Sequence, residues 1–230
     1  MNHPEQAAWL TRLRAPTFWW VLAASVLLIW GVHLWRPLPI AGSWGAPLHH
    51  ITLFCLLYLG LRWRYPQALA FSAALGVSVL PLVFASAPLG AWTFRWVGEV
   101  GLLTTTSLAV LTVLDFRWRQ SQLRLFPLWF WLGLAMAGVV ASWGMHVDAT
   151  VFPYFHGENS PWLARVLVLL CIVLCAQGYY WAVLPLIAVG LGYEWRILSG
   201  HNAFAYAADG LWLLGLILMP LWRHKKFVEN

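Results

Sequence analysis

Long apolar runs, broken at regular intervals by short polar segments, set the pattern of this chain. Eight candidate spans can be marked, roughly 17–35, 47–62, 67–86, 96–114, 126–145, 162–177, 179–196 and 204–222. Each is close to the ~20 residues that a bilayer hydrocarbon core requires of a helix. The sixth and seventh are short and closely joined, so a seven-span reading, with those two merged or one re-entrant, stands beside the eight-span one. The runs are continuously apolar and do not alternate, which favours helices over a β-barrel. The predicted fold is therefore an all-α polytopic membrane bundle, one domain over 1–230, with polar tails at 1–16 and 223–230. No internal repeat and no low-complexity linker divides it. The first run is long enough to remain as a span, and the polar stretch before it does not read as a cleavable signal peptide.

The polar segments give the orientation. With the N-terminus in the cytoplasm, Arg12, Arg14, Arg62, Arg64, Arg117, Arg119, Arg124, Arg223, Lys225 and Lys226 lie inside. Only Arg36, Arg95, Arg165 and Arg196 lie outside. The positive-inside rule then places both termini in the cytoplasm. The outer loops become 36–46, 87–95, 146–161 and 197–203. The scarcity of Lys and the short loops suit a bacterial inner membrane.

Composition strengthens the membrane reading. Hydrophobic residues make up 61% of the 230-residue chain and charged residues 10%, where a soluble domain carries about 25% charged residues. Many of the eighteen Trp flank the runs. Trp35, Trp44, Trp63, Trp92, Trp118, Trp162, Trp195 and Trp222 fit an aromatic belt at the headgroups. The formal charge of +6 does not point to nucleic acid, because no soluble domain carries a basic surface. Cys55, Cys171 and Cys175 lie inside apolar runs and read as packing residues, not as a disulfide framework. Asp115-Phe-Arg-Trp-Arg reads as a solvated inner loop that pairs with itself. With no phosphate-binding glycine loop beside it, an ATP-driven role is not expected.

Candidate chemistry gathers on the outer side. His33, His49, His50, His146, His156 and His201 fall there, six of the eight histidines. Glu99, Asp148, Glu158, Glu194 and Asp209 join them, five of the eight carboxylates. Ionisable groups are rare in spans unless they are solvated, paired or useful. Imidazole with carboxylate is the donor set of Zn, Fe, Mn and Cu sites. His50, His146 and His201 are the primary candidate ligands, with His33, His49 and His156 as secondary ones. Glu99, Glu194 or Asp209 would supply a fourth ligand or a general base. Adjacent residues diverge by ~100° on a helix, so only one of His49 and His50 is expected to join a shared site. Glu99 also lies four residues after Arg95, where a helical ion pair is the simpler account. No HExxH, HxxxH or CxxC spacing is present.

Two readings follow. The first is a metal-assisted enzyme acting on a lipid or lipid-linked substrate, its aromatic-rich interior receiving an acyl or prenyl chain. The second is a non-catalytic subunit that anchors a haem b and quinone, or partner proteins, in a larger complex. His33 with His146, or His50 with His146, would face across the bundle as axial ligands. Short likenesses to known families stop early. Ser199-Gly200-His201 is similar to the tripeptide of phosphatidic-acid-type lipid phosphatases, whose other motifs are missing here. Ser142 and His146 resemble the opening of the ceramidase-like hydrolase pattern, but the later HxxxH is lacking. The C-terminal stretch, with Glu194, Asp209 fifteen residues later and then an apolar run, looks like the VanZ family over some 35 residues.

Overall fold

The computed structural model describes residues 16–35, 45–62, 64–79, 81–82, 87–88, 100–118, 125–136, 161–195 and 197. The helices among them are α1 (Pro16–Trp35), α2 (Gly45–Leu61), α3 (Gln67–Val79), α4 (Leu102–Trp118), α5 (128–136), α6 (Pro161–Ala176) and α7 (Val183–Glu194). A single 3₁₀ turn, Tyr180–Ala182, leads into α7. Two residue pairs, Pro81–Leu82 and Ala87–Pro88, form a minimal antiparallel bridge after α3. The protein is otherwise helical where it is described. Among the described residues no helix is long and apolar enough to cross a membrane. The 17-residue α2 and α4 rise only about 25 Å at 1.5 Å per residue, against a core of about 30 Å.

Proline sets where most of these helices begin. Pro16 opens α1, Pro47 lies in the first turn of α2, and Pro161 opens α6. Pro66 and Pro127 immediately precede α3 and α5, and their carbonyls accept the first bonds, from the N–H of Ala70 (2.9 Å) and Phe130 (3.1 Å). Proline has no N–H and a fixed φ, so the first turn is the place in a helix that loses nothing by holding it. Only α4 starts without one; there Gly101 accepts from the Thr105 N–H at 3.1 Å.

The sixth and seventh runs are two separate helices. The α6 helix ends in a Schellman motif. Gly178 takes a left-handed conformation (φ 85°). Its N–H bonds to the Cys175 carbonyl at 2.9 Å, and Tyr179 N–H reaches the Leu174 carbonyl at 2.8 Å. The chain reverses at once and α7 packs back on α6. A seven-span reading by merger of these two runs is thereby corrected. Gln177-Gly178 is a break because glycine alone among the twenty residues adopts that φ without steric cost.

Two expected boundaries also move. The third run stops being helical at Val79, before the bridge, where the pattern extended it to 86. The α4 helix starts at Leu102 instead of 96 and runs on to Trp118. Asp115 is therefore helical and buried, which overturns the reading of its segment as a solvated loop. The eighth run, 204–222, and the two tails lie outside the described residues.

The helices pack as two joined groups. The larger core takes Phe18 and Ile29 of α1, Leu48 of α2, Leu102, Leu103 and Leu114 of α4, and the inner faces of α6 and α7. The smaller joins α2 to α3 around Tyr58, Ala70 and Ala74. Ala70 and Ala74 are one turn apart and fully buried, so α3 approaches α2 with little between the backbones, as small residues permit. Tyr58 stacks with Phe54 at 6.2 Å, and Phe71 meets both rings edge-on.

Candidate functional site

Cross-helix contacts link residues that the threading puts at equal depth. Thr52 meets Thr105 and Tyr58 meets Asp115, so α2 and α4 run parallel. His50 meets Ser78 near the start of α2 and the end of α3, which makes that pair antiparallel. Gln67 Nε2 donates to the Phe116 carbonyl at 2.9 Å, and Trp129 Nε1 to Gln177 Oε1 at 3.0 Å. Every one of these contacts joins ends assigned to the same side.

Near the start of α2, its two histidines part company as adjacent helical residues must. His49 is buried, 4% exposed. His50 is half-buried and its Nδ1–H donates to the Ser78 carbonyl on α3, at 3.3 Å. A carbonyl only accepts, so this contact requires the proton on Nδ1. In the neutral ring Nε2 of His50 then carries the lone pair. Ser78 is itself buried and turns its hydroxyl to the Leu75 carbonyl at 3.1 Å.

Glu194 ends α7 and lines a narrow cleft with Ile29, Leu163, Ala164, Leu167 and Gly190. The cleft lies at the outer end by the same threading, where α1, α6 and α7 meet. Its walls are apolar apart from the carboxylate. Gly190 lets the walls close: a Cβ there would sit 3.2 Å from Leu167 Cδ1. His33 falls on the last turns of α1. His146, His156, His201, Glu99, Asp148, Glu158, Asp209 and the loop 146–161 lie outside the described residues. Among the described residues no three His, Cys, Asp or Glu side chains converge as a metal site.

A second polar centre, at the opposite end of α2, was not anticipated. Tyr58 Oη donates to Asp115 Oδ2 at 2.7 Å, and Arg62 Nε donates to the same oxygen at 3.1 Å. Tyr58 is fully buried and Asp115 is 6% exposed. Arg62 is partly open, with Nη1 3.4 Å from the Tyr65 carbonyl. Arg62 directly follows the last residue of α2 and its N–H still bonds to the Tyr58 carbonyl at 2.8 Å, so the two side chains, one turn apart, converge on one carboxylate of α4. Between the two ends, Thr52 Oγ1 donates to the Leu48 carbonyl at 2.8 Å and shares a 2.7 Å hydrogen bond with Thr105 Oγ1. The cysteines are buried and free, as their apolar positions predict.

Comparison of the chain with protein-family models, with curated proteins and with solved structures finds no match.

Proposed function

We propose that this chain is a polytopic bacterial inner-membrane protein, its termini in the cytoplasm, whose outer helix ends hold a histidine–carboxylate site for a transition metal. The substrate class is a lipid or lipid-linked molecule. Support for the membrane setting comes from an inverted distribution of polarity. Trp20 and Leu27 are 76% and 72% exposed, and Leu69, Leu132 and Leu169 also face outward. Buried in their stead are His49, Thr52, Ser78, Thr105 and Asp115. Water does not tolerate apolar faces of that extent on a monomer, whereas lipid does.

The observation that carries the site is the His50–Ser78 bond. Ligating imidazoles in general donate their second ring N–H to a carbonyl or carboxylate, which fixes tautomer and ring orientation. His50 is held in that way, with Nε2 left for a metal. His146 and His201 would complete the ligand set from other helices. Glu99, Glu194 or Asp209 would act as fourth ligand or general base. A bound metal of this kind supplies Lewis acidity or an activated water. The same His50 geometry suits an axial haem ligand, which keeps the haem-anchoring subunit as the second reading.

Elemental analysis and an absorption spectrum of the purified protein test both. A colourless first-row metal near one per chain is the expected result. It should fall about tenfold or more in His50→Ala and His146→Ala, the scale for lost ligand-shell groups, and stay unchanged in His224→Ala. A Soret band would transfer the site to haem b. A wild-type protein with neither metal nor haem would refute the site.

A further inference from the structure

The interface between α2 and α4 holds more polar groups than adhesion requires. It carries the Thr52–Thr105 pair, the buried Cys55 thiol and the Tyr58–Asp115–Arg62 centre, with the buried His49 three residues before Thr52 on α2. On α2 these rungs are about one turn apart, and one turn is close to 5 Å, a gap that one bridging water spans. Each relay group other than the terminal ones carries both a proton and a lone pair. Thr104, Ser107 and Thr112, also on α4, are buried with hydroxyls that have no hydrogen-bond partner among the described residues. Thr104 precedes Asp115 by about three turns and so shares its side of the helix. Hydroxyls that merely glue helices together normally satisfy themselves, against the preceding turn or across the interface.

We propose that the α2–α4 seam conducts protons between the His49–His50 end of α2 and the cytoplasmic face, with Tyr58–Asp115–Arg62 as its inner gate. The inference rests on the membrane reading above. The Thr52 hydroxyl already has two acceptors in reach, the Leu48 carbonyl and Thr105 Oγ1. Rotation of Thr52 from one to the other reverses the direction of the Thr52–Thr105 bond, which is the turn step of a hydroxyl relay. A proton entering beside His49 is taken up by a hydroxyl as that group's own proton moves on. Tyr58 passes its hydroxyl proton to Asp115 Oδ2 while receiving one from the seam, and Asp115 releases it to the inner aqueous side. Each group returns to its starting proton count. Arg62 stays protonated throughout and holds Oδ2 in place, its partly open side chain marking the exit. Tyr58 and Arg62 are the groups that bond to the Asp115 carboxylate among the described residues.

The full chain reconstituted in vesicles tests this. Insertion is checked first by flotation and resistance to alkaline extraction. A potassium diffusion potential set with valinomycin then drives proton entry, read by pyranine trapped inside. Wild-type vesicles should acidify faster than protein-free ones. The rate should drop about tenfold or more in Asp115→Asn and in the double variant Thr52→Val/Thr105→Val, as when a positioned proton-transfer group is lost. Thr105→Ser, which keeps the hydroxyl, should retain the rate. So should Ser25→Ala, whose buried hydroxyl only bonds back to the Val21 carbonyl. Protein that inserts but conducts no faster than bare lipid overturns the conduction proposal alone. Conduction untouched by the seam variants overturns it as well. Protein that fails to insert overturns the membrane reading and this inference together.

Discussion

Removing one oxygen atom tests how the inner centre is built. In Tyr58→Phe the ring keeps its place against Phe54 and Phe71, and only the 2.7 Å bond to Asp115 is lost. Hydrogen bonds to charged acceptors contribute about 1.5–3 kcal/mol, while interhelical bonds in bilayer bundles reach about 1.7 kcal/mol at most. The expected cost is therefore near 1.5 kcal/mol, the overlap of those ranges. Asp115→Ala leaves a buried hydroxyl and a cation both unanswered, which costs about 3 kcal/mol. Once the carboxylate has gone, deleting the hydroxyl removes nothing further. The double variant should thus be no less stable than Asp115→Ala, a coupling of about 1.5 kcal/mol. Graded SDS unfolding of the purified protein in mixed micelles, followed by helical circular dichroism, measures all four members of the cycle. Additivity within about 0.5 kcal/mol, the ordinary scatter for uncoupled sites, would show that Tyr58 and Asp115 do not act as a pair.

Other outcomes follow from single positions. Gly178→Ala should lower stability by about 1 kcal/mol in the same unfolding assay, because φ 85° is strained for any residue with a Cβ; Gly178→Asn should cost less. Gly190→Ala should be tolerated within about 1 kcal/mol, since the atom it meets is the movable end of Leu167, while Gly190→Leu overpacks the cleft by about 1–3 kcal/mol. On a background without native cysteines, a cysteine at position 157 should react with an impermeant maleimide in intact cells and one at 120 should not. The opposite labelling would invert the threading and move the histidine cluster to the cytoplasm. Arg62→Gln should weaken the inner centre by less than about 1 kcal/mol, because its guanidinium is partly solvated.

The periodicity of apolar runs was enough to place seven helices, because each run is bounded by proline or by polar punctuation that acts locally. Glycine at 178 was visible as a break, yet two short runs around it read equally well as one until the left-handed turn was seen. The histidines of α2 were found because they are rare residues at a run's end. The inner centre was missed for the converse reason. Tyr58 lay unmarked inside an apolar run, Arg62 counted only as an inner basic charge, and Asp115 lay beside Arg117 in a segment that pairs plausibly with itself. Nothing local distinguishes that pairing from one across helices. The signal that could have found it is joint: Tyr58 and Arg62 share a face one turn apart, and α2 and α4 must run in the same direction if spans alternate. The threonine pair at 52 and 105 follows from the same register, and hydropathy alone does not reveal it.

The turn at Gly178 has a consequence for how the chain is assembled. Because α6 and α7 are joined by a few residues and lie against each other, their mutual contacts close with very little loop entropy. The α2–α4 seam requires the intervening α3 segment to fold back first, so its contacts are separated by fifty residues or so, as Thr52 and Thr105 are. Formation of local hairpins precedes long-range docking wherever closure entropy dominates the rate. The helical hairpin at 161–194 thus closes locally, as the α2–α3 hairpin does. Among the described residues, the N-terminal half packs through its α2–α3 hairpin and then through the α2–α4 seam, and α1 gains its packing against α6 and α7 only after they have been synthesised.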